Sequence, residues 1–277
     1  MFWTRLFSSV ILVIIALVTL LQGGYLLAIV LLAISLIAYN ELCKACGIHT
    51  EGKAVNALEA AGIAGIFIYY GMVVFADSHA LQMLIILLIM IAFMFVYVFT
   101  FPHYHANQVM SAFFSFVYAP VMFSFIYQTR GLKHGIYLVW MIFVSSWICD
   151  SCAYLTGMLI GKHKMTPKLS PKKSVEGAIG GVVGSALAGA LYGYFIVESV
   201  VAEQQITWVL AFIGGIGAVI SQIGDLAASA IKRNYEIKDY GHLIPGHGGI
   251  MDRFDSVIFT APMIYGLALL LMNSGTP

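Results

Sequence analysis

Nine stretches of this chain stay apolar for about the length of a bilayer crossing: 8–22, 24–43, 57–75, 80–101, 108–129, 135–160, 177–197, 206–231 and 255–272. A helix needs roughly 20 residues to cross the hydrocarbon core. A segment in lipid must also satisfy its backbone hydrogen bonds internally, which for single apolar runs means helix. The chain therefore reads as an all-α integral membrane protein, a polytopic bundle of about nine transmembrane helices. Composition agrees, with 61% hydrophobic and 10% charged residues and a mean hydropathy of +0.92. Ordinary soluble domains carry about 25% charged residues. The formal net charge of +1 says nothing about partners, and no nucleic-acid partner is expected.

The first run is short and the second follows almost at once, so the two form a tight helical hairpin. No small-residue cleavage site follows the first run, which reads as a retained span rather than a signal peptide. Pro120 lies inside the fifth run and predicts a kink, because proline removes a helix hydrogen bond. The seventh run, "GAIGGVVGSALAGALYG", repeats glycine three and four residues apart, a spacing that lets helix backbones approach closely in lipid. The same property permits a homodimer.

Lysine and arginine set orientation through their excess on the cytoplasmic side. Segment 161–176 carries five lysines, and segment 232–254 carries Lys232, Arg233, Lys238 and Arg253. Two spans separate these segments, so both are expected on the cytoplasmic side of the cell membrane. The N-terminus is then cytoplasmic and the C-terminus outside. Arg130 and Lys133 fall on the outer side against the rule. Two regions follow: 1–130 with spans one to five, and 131–277 with the cytoplasmic segments and most of the polar chemistry.

Four cysteines form two C-x-x-C pairs, Cys43/Cys46 and Cys149/Cys152. Such pairs can hold zinc. The second lies within a helix-length apolar run, so buried helical thiols are the simpler account.

Carboxylates inside spans cost roughly 2.5–3.5 kcal/mol near the centre and usually face a bundle interior or a wet cavity. Asp225 shares a helix face with Ser221, Ser229 and Lys232. It reads as a site residue or as a structural ion pair with a lysine. Asp150 lies deeper, where an interhelical hydrogen bond competes with a site role. Asn40 and Glu41 close the second span at its wet end, where a solvated face is the alternative to function.

The segment "LIPGHGGIMDRFDS" is the chemical centre of the sequence. Pro245 and Gly246 favour a tight turn. Gly248 and Gly249 let backbone N–H groups approach a ligand, and the N-terminus of the last span, which attracts anions, follows. Asp252 and Asp255 add negative charge that a divalent cation could join to Asp225. Mg2+ suits such a set, since it takes few carboxylates and completes its shell with water and phosphate oxygens. Lys172, Lys173, Lys232, Arg233, Lys238 and Arg253 supply positive charge. Carboxylates, basic groups and a glycine turn together describe phosphate held on a metal.

Ser229, Lys232, Arg233, Lys238, Asp239, Pro245, Gly246, His247, Gly248, Gly249, Asp252, Arg253 and Asp255 reproduce the pattern S-x-x-K-R-x4-K-D-x5-P-G-H-G-G-x-x-D-R-x-D. In this the chain resembles the phosphatidate cytidylyltransferase, or CDP-diacylglycerol synthase, family. The blocks "SPKKSVEG", "DSCAYLTG" and "QIGDLAAS" resemble it too. The likeness is close over about 145–256 and rests on hydropathy alone in the N-terminal half. The family often has Thr where this chain has Ser174, which keeps the hydroxyl. The resemblance implies a nucleotidyltransferase of phospholipid biosynthesis that joins CTP and phosphatidate with Mg2+, a second cation being an alternative complement. It implies Asp225, Asp252 and Asp255 as metal ligands, with Asp225, Asp252, Lys232 and Arg233 catalytic. Ser170, Lys172, Lys173, Ser221, Gly246, His247, Gly248, Gly249, Arg253 and Asp150 are then the expected substrate contacts. His247 reads equally as a structural turn residue. A CTP-dependent transferase for another lipid acceptor, and a cation transporter using Asp150 and Asp225, are the competing readings. Glycine turn and lysine clusters speak against transport.

Overall fold

The computed structural model describes residues 2–49, 54–76, 78–201, 205–243 and 248–272, with side chains from Ile11 onward apart from Leu12. Gly246 and His247 lie outside these residues. Among the described residues there are nine helices: α1 (Phe2–Gln22), α2 (Gly24–Ala45), α3 (Ala57–Phe75), α4 (His79–Phe99), α5 (Ala106–Gly131), α6 (Gly135–Ile160), α7 (Val175–Val197), α8 (Ile206–Asn234) and α9 (Met251–Leu271). The eight from α2 onward are long and apolar enough to cross a membrane. The expected first span falls on α1, whose described apolar part is Val13–Gln22. The chain is a multi-pass membrane protein.

The helical reading needs one addition. Segment 161–176 holds a small antiparallel hairpin, β1 (Lys164–Thr166) with β2 (Ser170–Ser174). Ser174 ends β2 and caps α7, its hydroxyl accepting the Gly177 N–H at 3.1 Å. Glu176 in the first turn of α7 accepts the backbone N–H groups of Lys162 and His163 and the His163 ring at 2.5 Å. Both ends of the hairpin are thus tied to the start of α7.

Helix ends beside the charged segment 232–254 differ from expectation. Helix α8 continues to Asn234, so Lys232 and Arg233 occupy its last turn rather than a loop. Cations there complement the negative end of the helix dipole. Helix α9 starts at Met251, which places Asp252 in its first turn. Pro120 lies within a π-helical turn, Val117–Val121. Similar turns at Val144–Ile148 and Gly193–Val197 carry no sequence signal.

The chain divides into two compact units. One is Met1–Tyr127 with Tyr235–Arg253, and the other is Gln128–Asn234 with Phe254–Pro277. In the second unit the glycines of α7 are packing sites, as their spacing predicts. A Cβ at Gly177 would lie 2.7 Å from the Ala153 carbonyl, and one at Gly181 would lie 2.9 Å from the Cys149 carbonyl, both on α6. Further along, Gly193 brings α7 against Thr207 of α8. Close backbone approach replaces the hydrophobic effect, which cannot drive helix association in lipid. All four cysteines are free, and Cys43 and Cys149 are buried within helices.

Candidate active site

The second unit contains a cavity of about 390 Å³ with an apolar wall and one charged end. Ala153, Tyr154, Gly157 and Met158 of α6 and Gly177 and Ala178 of α7 form much of the wall. Asp150, Lys172, Lys173, Gln222 and Asp225 supply the polar groups. Lys173, on β2, makes an ion pair with the Asp225 carboxylate, the two side chains being 28% and 27% exposed. Pairing lowers the cost of holding charge at this depth. Gly224, beside Asp225, lets α8 approach α9. A Cβ there would lie 2.9 Å from the Asp255 carbonyl oxygen. Asp225 therefore interacts electrostatically with Asp255 and with Asp150, and Lys232 acts on Asp255.

Sequence spacing puts Ser221 on the Asp225 face. The structure buries Ser221 completely and gives the cavity position to Gln222. On a helix, residues three and four back from Asp225 flank it on opposite sides. The cavity lies on the Gln222 side. The Gln222 amide donates to the Ala178 carbonyl at 3.0 Å and to the Cys149 sulfur at 3.3 Å, so one side chain links α8 to α7 and α6. Ser170 lies at the start of β2, opposite Thr166. Arg233 is exposed at the end of α8.

In the first unit, Gly248 has φ 85°, a left-handed conformation that suits glycine. The Asp252 carboxylate accepts the Gly249 N–H at 3.1 Å and the Tyr240 N–H at 2.8 Å. Arg253 is exposed. Glu41 is 7% exposed, and its two oxygens accept the Ile250 and Met251 N–H groups at 3.0 and 2.9 Å. The start of α9, which the sequence offers to a phosphate, is here held by the chain's own carboxylates. Nothing in the sequence marks this, because Glu41 and its partners are 209 and 210 residues apart.

Among the described residues no group of three or more His, Cys, Asp or Glu side chains is arranged to hold a metal. Mg2+ does not need one. It binds through one or two carboxylates and fills its shell with water and phosphate oxygens. The hard oxygen donors of Asp225 and Asp255, with Lys173 and Lys232 beside them, fit that requirement.

The sequence signature of the cytidylyltransferase family matches residues 3–271. A phosphatidate cytidylyltransferase of Staphylococcus aureus (strain COL) is 32% identical, with 98% of this chain and 99% of that protein aligned. Phosphatidate cytidylyltransferases of Staphylococcus saprophyticus and Staphylococcus epidermidis are each 30% identical, over 94% of this chain and 96% of theirs.

Proposed function

The chain belongs to the cytidylyltransferase family, and from that premise we propose that it transfers CMP from CTP to phosphatidate, yielding CDP-diacylglycerol and pyrophosphate. It is a nucleotidyltransferase of phospholipid biosynthesis. The observation that best supports this beyond kinship is the cavity whose apolar wall meets Asp150, Lys172, Lys173 and Asp225. A substrate with two acyl chains and a phosphate has the same division.

In the reaction a phosphate oxygen of phosphatidate bonds to the α-phosphorus of CTP. The bond from that phosphorus to the bridging oxygen of the β-phosphate breaks, and its electron pair leaves with pyrophosphate. The attacking phosphate is already an anion near neutral pH, so no general base is needed. The barrier lies in bringing two polyanions together and in stabilising the leaving group, which is electrostatic work. Lys172 and Lys173 neutralise phosphate at the polar end of the cavity. Lys232, Arg233 and Arg253 screen the triphosphate and the departing pyrophosphate. Ser170 completes the contacts at that end of the cavity and Asp150 forms its floor, while the family resemblance adds Gly246, His247 and Gly248 as nucleotide contacts. Asp225 and Asp255 would hold Mg2+, to which the family resemblance adds Asp252; the ion, when bound, would polarise the α-phosphate and offset charge on the leaving group. The lysine-rich hairpin and the end of α8 face the cytoplasm, where CTP is.

An acceptor panel tests the reading. Purified protein with Mg2+ and labelled CTP is offered phosphatidate, an isoprenyl phosphate and an ether-linked phosphatidate analogue. Labelled lipid with phosphatidate at a kcat/KM at least about tenfold above the others is expected. Preference for another acceptor would move the enzyme to a different lipid, and no labelled lipid at all would remove the reading.

A further inference from the structure

Among the described residues the mechanism above leaves two buried carboxylates unused, Glu41 and Glu59, and Glu59 is spent locally on His49 and the cap of its own helix. Glu41 sits in the last turns of α2, and its oxygens take the N–H groups of Ile250 and Met251. The first four N–H groups of a helix have no acceptor within it, and the helix dipole favours a negative group there. A carboxylate from a distant span therefore caps α9. Asp252, the next residue, takes the Gly249 N–H. Three consecutive N–H groups, at 249, 250 and 251, are committed to two carboxylates of the same unit.

The surrounding glycines fit this arrangement. A Cβ at Gly249 would lie 2.6 Å from Cδ and Oε2 of Glu41. A Cβ at Gly241 would lie 2.5 Å from Oε1. Both contacts are closer than real Cβ atoms show, and the obstacle is a carboxylate fixed by two hydrogen bonds. Gly241 and Gly249 are small because Glu41 fills the space.

From these contacts we infer that Glu41 is a positioning residue. It fixes the first turn of α9, and with it Asp252 and Arg253, while Gly249 provides room for its carboxylate rather than an approach for nucleotide phosphate. This role rests on the transferase reading above.

The test uses the full chain purified in detergent, with Glu41→Gln, Glu41→Ala, Gly249→Ala and the Gly249→Ala/Glu41→Ala pair. Glu41→Gln keeps the shape and one good acceptor. It should lower kcat about tenfold and raise the half-saturating Mg2+ concentration by a similar factor, as losses behind a metal ligand do, with KM for CTP little changed. Glu41→Ala should lose more of both. A purely structural loss would lower the active fraction without moving the Mg2+ response. The second readout is Tm without metal or substrate. Gly249→Ala should lower Tm in the wild-type background and have little further effect in Glu41→Ala. If Glu41→Ala does not fold, Glu41→Asp, one methylene shorter, serves as the background and should relieve much of the Gly249→Ala penalty. Equal Gly249→Ala penalties in both backgrounds would overturn the inference, as would wild-type kcat and Mg2+ response in Glu41→Gln. Wild-type protein inactive with CTP and phosphatidate would overturn the transferase reading and the positioning role with it. The Tm cycle would still report whether Glu41 and Gly249 compete for space.

Discussion

At the scale of single residues, the ion pair between Lys173 and Asp225 is the most informative contact in the cavity. Removing either partner leaves an uncompensated charge in a half-buried place and takes away a group that the chemistry needs. Asp225→Asn and Lys173→Met should each lower kcat/KM by about a hundredfold or more, measured by initial rates with labelled CTP. Gln222→Ala should cost more activity than Ser221→Ala, because Gln222 lines the cavity and joins three helices. The sequence made Asp225 and Asp150 conspicuous, since a carboxylate in an apolar span is expensive. It could not say which neighbour of Asp225 faces the cavity, because 221 and 222 flank it on opposite sides of the helix. Nor could it separate Glu41 from a solvated helix end. That distinction depends on Ile250 and Met251, far along the chain, which supply the N–H groups.

At the scale of elements, periodicity and composition carried most of the fold. Apolar run lengths located the helices to within a few residues, and the glycine spacing of α7 foretold its close packing. A Gly181→Val change would drive new methyl groups into the Cys149 carbonyl and sulfur. Overpacking of that kind costs about 1–3 kcal/mol, so Tm in detergent should fall clearly. The hairpin was hidden in a lysine-rich stretch with weak strand signal. Pairing of β1 with β2, with a register shift between Lys164 and Thr166, and its tethers to Glu176 hold it in place. Ser174→Ala removes the α7 cap, worth about 1 kcal/mol, and should loosen the strand that carries Lys172 and Lys173. A rise in KM larger than the fall in kcat is the expected kinetic signature. The π-turns of α6 and α7 could not be read from hydropathy, which averages over such insertions.

At the scale of the molecule, the lysine-rich segments predict an active site open to the cytoplasm. Lys168→Cys, in a background lacking Cys43, Cys46, Cys149 and Cys152, should react with a membrane-impermeant thiol reagent in inside-out vesicles and be protected in right-side-out ones. The reverse pattern would invert the topology. Grouping of 235–253 with residues 1–127 was beyond linear reading, because it depends on contacts such as Glu41 with Ile250 and Met251. Homodimer formation is a separate proposal. The α7 glycines at 177, 181 and 193 already serve contacts inside the chain, so a dimer would form through other faces. The central claim concerns which bond of CTP is cut and where the pieces go. Purified protein with phosphatidate and Mg2+ can be given CTP labelled at the α-phosphorus and, in parallel, at the γ-phosphorus. The account predicts the α-label in lipid and the γ-label in pyrophosphate in equal amounts, with both lost when EDTA removes the metal. A γ-label released as orthophosphate, or an α-label that never enters lipid, would contradict it.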